Sequence, residues 1–316
     1  MNTHFNHTLA GEALEALAQI RGEEKLAGHQ LATVIEDQEN GLESLVEVID
    51  VSSPSTKRMA YQTEDNSGSR DEIVWHLQGI LVSADLPPYV SKGRSKEKAR
   101  FLRQGLRLGG FGTPSFHKAI QNVSEVLGIF SRSVTEIQPP TFLDTDATGL
   151  CIDVCNRYFS TRRDGRGGDE VKLTSEIDPN GVLAKLAGET YYHGEENTVG
   201  YFERVSDKLT GRKHMHPVSP VKFKQGDIVE VQLTFMLVEV KGHEWKMVAT
   251  LRCVTLLDGR FAQDLIRKNS TLVYAEGKGA CHQPSLKRRS VLDRSEDEQD
   301  STASKIGRMQ IDEQED

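Results

Sequence analysis

The strongest pattern in the chain is an alternation of apolar and other residues near its centre. From Val229 to Leu237 every second residue is apolar, as in a strand with one buried face. The sequence KGHE at 241–244 favours a hairpin loop, and the alternation resumes at Trp245, Met247, Ala249 and Leu251. These residues predict a β-hairpin, with a bulge near Val238, where the phase of the alternation shifts.

An isolated hairpin is only marginally stable, so further strands must pair with this one. Apolar segments around 150–158, 198–204 and 271–274 have the length and composition of strands. We therefore expect a sheet or a partly closed barrel in this half of the chain.

Helical spacing of apolar residues dominates the first half of the chain. The clearest example follows Thr113-Pro114, a favoured helix start, and runs through Phe116, Ile120, Val123, Leu127 and Phe130. Two narrower stripes predict helices at 9–20, with Thr8 as N-cap, and at 42–49. An apolar element at 73–86 contains Trp75, which we expect to anchor core packing.

These patterns predict an α+β protein, with N-terminal helices followed by a mainly antiparallel β-sheet or partly closed β-barrel. A disordered acidic C-terminal tail completes this picture, because the last residues lack apolar periodicity. The predicted segments are an acidic helical N-terminal segment (1–50), a linker (51–72), a helical region (73–140), a β-rich domain (145–280) and the tail (281–316).

Charge is distributed unevenly along the chain. The formal net charge of −8 argues against a nucleic-acid binder on average. However, residues 1–50 contain ten acidic and two basic residues, and residues 290–316 contain nine acidic and three basic residues. The centre is therefore positive, and an anionic partner is not excluded.

The most basic stretch is 92–107, with seven basic residues and one acidic residue. Ala99, Leu102 and Leu106 predict a helix there, with one packed face and one basic face. Our leading hypothesis is a non-enzymatic binding module whose basic helix contacts nucleic acid or another anionic partner. The predicted nucleic-acid-binding residues are Lys92, Arg94, Lys96, Lys98, Arg100, Arg103 and Arg107.

A metal-dependent enzyme is the second hypothesis. His214 and His216 are two residues apart and would share one face of a strand, and His193 is a candidate third ligand. The cupin pattern fails, because Ser219 and Pro220 stand where its glutamate is expected. No catalytic motif is complete and no cofactor is predicted, so an enzyme is the less favoured interpretation.

A protein-interaction scaffold that acts through the acidic N-terminal helices is the third hypothesis.

Four cysteines are too few for a disulfide framework, and no apolar run is long enough for a membrane span. We therefore expect an intracellular protein, nuclear or cytoplasmic, with no membrane partner. The short basic run Lys287–Arg289 is compatible with nuclear import.

Three segments resemble a known group of proteins: LAGETYYH at 186–193, the stretch 223–232, and the stretch 251–258. Over about 150–260 the chain is similar to an uncharacterised protein family that occurs in many copies in mushroom-forming (basidiomycete) fungi. The resemblance implies no catalytic residue. Members of that family sometimes lie near mobile elements, which favours a nuclear or nucleic-acid-linked role.

Overall fold

The computed structural model describes residues 5–24, 29–33, 42–52, 55–62, 70–90, 96–162, 169–207, 211–240 and 244–276. The chain forms two units, residues 1–270 and residues 271–316. In the second unit, the described residues 271–276 are the end of a helix. The predicted tail at 281–316 and the basic run at 287–289 lie outside the described residues.

The described residues of the first unit contain a large sheet, a small two-stranded sheet, three α-helices and most of a fourth, which continues to residue 276. The helices and strands, in chain order, are α1 (His7–Glu23), β1 (His29–Gln30), β2 (Val46–Ser52), β3 (Ser55–Tyr61), β4 (Trp75–Asp85), β5 (Arg103–Gly109), α2 (Pro114–Ser131), β6 (Ile137–Gln138), β7 (Leu143–Asp146), β8 (Gly149–Arg157), β9 (Ser160–Thr161), α3 (Val182–Ala187), β10 (Tyr191–Tyr192), β11 (Gly200–Ser206), β12 (Lys213–Pro217), β13 (Ile228–Glu239), β14 (Trp245–Asp258) and α4 (Arg260–Glu276).

Five of these strands pair in a closed ring, in the order β4–β5–β8–β14–β13 and back to β4. Four of the pairings are antiparallel, and β8 pairs with β14 in parallel at Cys155 and Thr250. The sheet extends past β14 through β11 and β12, and past β13 through β3 and β2. The sheet is therefore mixed, which corrects the prediction of a mainly antiparallel sheet.

The predicted hairpin is confirmed as β13 and β14, which pair antiparallel along most of their length. Val229, Val231, Leu233, Phe235 and Leu237 all point into the barrel core and are buried. The bulge is not at Val238; the register shifts after Ile228 and after Gln232. The side chain of Val238 points away from the barrel core and lines a cavity. An apolar residue on the outer face of β13 explains the shift in the apolar alternation without a bulge at Val238.

Two helices fall where the sequence places them. Helix α2 begins after Thr113 and buries Phe116, Ile120, Val123 and Phe130 against the core. Helix α1 begins two residues earlier than predicted, because the Asn6 side chain, and not Thr8, accepts a hydrogen bond from Leu9 N at 3.2 Å. Its buried face packs Ala10 and Leu14 against Ile80 and Ile228.

Strands replace parts of two predicted helices and part of the predicted linker. The stripe at 42–49 becomes a short 3-10 helix followed by β2, because Val46 and Val48 pack in the core at a spacing of two. Residues 55–61, inside the predicted linker, form β3 and bury Met59. The helices are therefore not gathered at the N-terminus. The strand expected at 271–274 is instead the end of α4, whose Ala262 and Leu265 are buried at helical spacing.

The prediction of a basic helix at 92–107 is also wrong. Residues 96–101 form a 3-10 helix, and β5 begins at Arg103. Within β5, Gln104, Leu106 and Leu108 are buried in alternation. Strand β5 pairs with β4 on one side and with β8 on the other. These pairings favour the strand, with its two-residue period, over the helix that the same apolar residues also fit.

A buried ion-pair network, which we call the Glu230 cluster, links α1 to the barrel. The Glu230 carboxylate accepts hydrogen bonds from Arg21 Nε and Nη2, at 2.6 and 2.7 Å, and from Gln78 Nε2 at 2.6 Å. His76 Nδ1 lies 3.1 Å from Glu230 Oε1. Burial opposes ionisation, but hydrogen bonds from His76 and Arg21 and the charge of Arg21 lower the pKa of Glu230 to about 2.

Asp227, at the turn before β13, makes the stability of the protein depend on pH. Its side chain is buried, and this burial raises the pKa of Asp227 to about 6, although Lys224 N donates a hydrogen bond to Oδ2 at 2.7 Å. Since the folded pKa exceeds the unfolded one, the folded state binds the proton more tightly. The stabilising contribution is complete below about pH 4 and is lost as the pH rises through about 6.

The variant Asp227→Asn keeps an acceptor oxygen but cannot ionise. We expect it to raise the free energy of unfolding by about 1–3 kcal/mol at pH 7 and to leave it unchanged near pH 4. Urea denaturation of both proteins at the two pH values measures this. An equal difference at both pH values would show that ionisation is not the cause.

In the described part of the chain, no helix combines the length and the apolar character that crossing a membrane requires.

Candidate anion-binding site

Two arginines face each other at the end of the second and third strands of the barrel. Arg103 is the first residue of β5, Arg157 is the last residue of β8, and the antiparallel register pairs them directly. Both residues are exposed overall, although neighbouring protein atoms partly desolvate the Arg157 guanidinium. The alternation that buries Gln104 and Asn156 sends these arginines to the outer face of the barrel.

Neither of these arginines is neutralised by a carboxylate among the residues that the structure describes. Arg103 Nη1 donates only to Cys155 Sγ, at 3.4 Å. Neighbouring protein atoms desolvate the Arg157 guanidinium, and repulsion from Arg103 adds to this, so the pKa of Arg157 is lowered. Like charges placed opposite each other on paired strands are destabilising, and an anion bound between them would relieve the repulsion.

A cavity of about 220 Å³ opens beside the arginine pair. Its apolar wall comes from Met236 and Val238 of β13 and Val248 of β14. Asn156 and Asn197, both buried, supply polar atoms to the same cavity. The cavity therefore combines an apolar wall, amide groups and an excess of positive charge.

The other charges near this cavity balance one another. Arg58 donates to Glu196 at 2.8 Å, and Arg252 reaches Glu196 at 3.0 Å and Glu72 at 2.9 Å. Burial opposes the charged form of Glu196, but Arg58 and Arg252 more than compensate and lower its pKa. Two arginines and two glutamates thus cancel, and the net positive charge is that of Arg103 and Arg157.

Arg107, a predicted nucleic-acid contact, is already held by acidic residues. It forms a two-point ion pair with Asp153, at 2.8 and 2.7 Å, and lies 3.2 Å from Asp144 and 3.7 Å from Asp146. The hydrogen bonds that Arg107 donates to Asp153 are the main reason why the pKa of Arg107 is raised. Arg107 is therefore not available to a phosphate in this arrangement.

The remaining residues of the predicted basic surface have varied positions. Arg100 lies over the ring of Phe101, with its guanidinium carbon 4.5 Å from the ring centroid, and Phe101 is itself 58% exposed. Lys96 and Lys98 belong to the 3-10 helix, but their side chains fall outside what the structure describes. Lys92 and Arg94 also lie outside the described residues.

The three histidines of the metal hypothesis occupy different settings. His214 and His216 share β12, as predicted, and both are exposed. His193 is buried, its Nδ1 lies 2.8 Å from Tyr158 O, and burial lowers its pKa. Within the described ranges, no three His, Cys, Asp or Glu residues are grouped closely enough to hold a metal ion. The arrangement gives the metal hypothesis no support.

Sequence reasoning missed Arg157 and the two asparagines of the cavity. The alternation of Leu150, Ile152 and Val154 already places Asn156 on the same face as those residues and Arg157 on the other face. The alternation shows which face of the strand Arg157 lies on, but it does not show which strand pairs with β8. The sequence therefore could not predict that Arg157 lies opposite Arg103.

No protein-family model matches this chain, and no curated protein sequence matches it. The resemblance to basidiomycete proteins therefore stays a prediction. One similar solved structure is the crystal structure of gp2.5, a single-stranded DNA binding protein encoded by bacteriophage T7. It shares 11% sequence identity, the match covers 58% of this chain and 91% of that chain, and the TM-score is 0.30. A TM-score this low shows neither a shared fold nor a shared function.

Proposed function

We propose that this protein is a non-enzymatic nucleic-acid-binding module whose barrel contacts phosphates through Arg103 and Arg157. The observation that carries the proposal is their direct pairing across β5 and β8 with no carboxylate partner among the described residues. Two adjacent guanidinium groups suit the oxygens of a phosphate, to which arginine donates two hydrogen bonds at once. A nucleic-acid partner also agrees with an intracellular location.

The architecture of the barrel supports this proposal by analogy. Its five strands close in the order first, second, third, fifth, fourth, which is the order of an OB-fold barrel. OB-fold barrels bind oligonucleotides and oligosaccharides on the face of their second and third strands. In this chain those strands are β5 and β8, which carry the arginine pair, although fold alone does not determine function.

The test is to measure the affinity for a fluorescent oligonucleotide as the salt concentration is varied. In Arg103→Gln/Arg157→Gln, the loss of two phosphate contacts should weaken binding at least tenfold near physiological salt. The slope of log affinity against log salt should become shallower by about 1.4, the value for two contacts on a single strand.

The matched control is Arg132→Gln/Arg260→Gln, which removes two exposed arginines that do not line the cavity. We expect this control to bind nearly as well as the unmodified protein, although its net charge is the same as that of the test variant. Equal losses in both variants would overturn the proposed site. Absence of binding by the unmodified protein, or binding that does not depend on salt, would overturn the proposed function.

A further inference from the structure

The cavity beside the arginine pair has the size and lining of a site for one nucleobase. Its volume of about 220 Å³ is smaller than the ~300–1,000 Å³ of pockets for drug-sized ligands, so it suits a single small group. Met236, Val238 and Val248 form an apolar wall against which the flat face of a ring can pack.

The side-chain amides of the residues that line the cavity fit the edge of such a ring. Asn156 Nδ2 donates to the carbonyl oxygens of Glu196 and Leu251, and Asn156 Oδ1 has no hydrogen-bond partner among the described residues. Asn197 Oδ1 accepts from Ser160 and from Gly194 N, and Asn197 Nδ2 has no partner among the same residues. One acceptor and one donor therefore remain, and the edge of a nucleobase offers the complementary pair.

The arginines line the same cavity, which places the charge for a phosphate beside the space for a base. We propose that an unstacked base of the bound strand enters this cavity while its phosphate contacts Arg103 and Arg157; this inference rests on the proposed function. Bases in a duplex are stacked and paired, and releasing one costs free energy. The ligand class is therefore single-stranded nucleic acid.

The test compares two strands with equal charge. One is a thymidine homopolymer of about twelve nucleotides, which falls within the site sizes of OB-fold barrels. The other is an abasic strand with the same number of phosphates. The unmodified protein should bind the thymidine strand about tenfold more tightly, which is in the lower part of the range for a base stacked on an aromatic side chain, because the wall here is aliphatic.

Val248 allows the cavity to be closed without a change in charge, because its half-buried side chain belongs to the apolar wall. Val248→Phe fills the cavity and should bind both strands with the same, weaker affinity. Val248→Ala leaves the cavity open and should keep the preference for thymidine. Thermal unfolding of both variants verifies that they are folded before the comparison.

The outcomes separate the two proposals. If the unmodified protein binds both strands equally and Arg103→Gln/Arg157→Gln weakens both, the phosphate site stands and the base site is overturned. If Val248→Phe keeps the preference for thymidine, the base site is also overturned. If neither strand is bound, the proposed function itself fails, and the base site fails with it.

Discussion

Replacing Glu230 with Gln should lower the free energy of unfolding by about 3–5 kcal/mol, the usual cost of breaking a buried ion pair from one side. The variant leaves the Arg21 guanidinium charged and buried, since Arg21 is only 5% exposed, with Glu24 as its remaining carboxylate partner. His76 and Gln78 lose the same carboxylate. Urea denaturation at pH 7 measures the loss.

A double variant identifies the cause of this loss. Arg21→Met/Glu230→Leu removes both charges and should recover much of the stability, because an apolar pair of similar volume often replaces a buried ion pair without cost. A double variant as unstable as Glu230→Gln would contradict this account.

In the unmodified protein the contribution of Glu230 to the free energy of unfolding is present above about pH 4.5 and is lost as the pH falls towards 2, because its folded pKa is depressed.

Gly110→Ala should destabilise the protein by about 1–3 kcal/mol or more, as overpacking of a core does. A Cβ atom at this position would lie 2.6 Å from the Cβ of Phe116 and would overlap Cγ and Cδ1 of the same ring. Phe116 is 2% exposed and lies in the first turn of α2, so relief of the overlap requires the start of the helix to move. The shift in the urea midpoint measures this cost.

Gly128→Ala is the matched control for Gly110→Ala. Gly128 lies inside α2, and nothing is within 4 Å of the position of its Cβ. Alanine is the better helix former, so we expect this control to stabilise the protein by about 0.5–1 kcal/mol. A similar loss in both variants would show that the overlap with Phe116 is not the cause.

The sequence was most informative where a single period extended over many residues. The hairpin β13–β14 and the helix α2 each have one clear period, and both predictions are confirmed. At 99–108 the apolar residues Ala99, Leu102 and Leu106 fit a helix, whereas Leu102, Leu106 and Leu108 fit a strand equally well. The pairing of β5 with β4 and β8 decides between them, and no local pattern contains that information.

The candidate site was predicted only in part, for the same reason. The density of basic residues identified Arg103, which lies at the site, but it identified Arg107 equally, which Asp153 and its neighbours neutralise. Asp153 is 46 residues from Arg107 in the chain, and Arg157 is 54 residues from Arg103. Counting charges along the sequence detects neither the Arg107–Asp153 ion pair nor the Arg103–Arg157 pair, because both depend on the register of β5 and β8.

The Glu230 cluster has a consequence for the synthesis of the chain. Arg21 and Glu230 are separated by 209 residues, which a ribosome adds in roughly 10–40 s at ordinary rates of elongation. Throughout that interval Arg21 lacks Glu230, although its second carboxylate partner, Glu24, is already present. Once β4, β5 and β8 have been synthesised, they still lack the last two strands of the ring. Until β13 and β14 have been synthesised, the parts of β4 and β8 that pair with them stay open to other chains. The final closure of the barrel therefore follows the emergence of β14, and chaperone binding to the nascent chain is expected before that point.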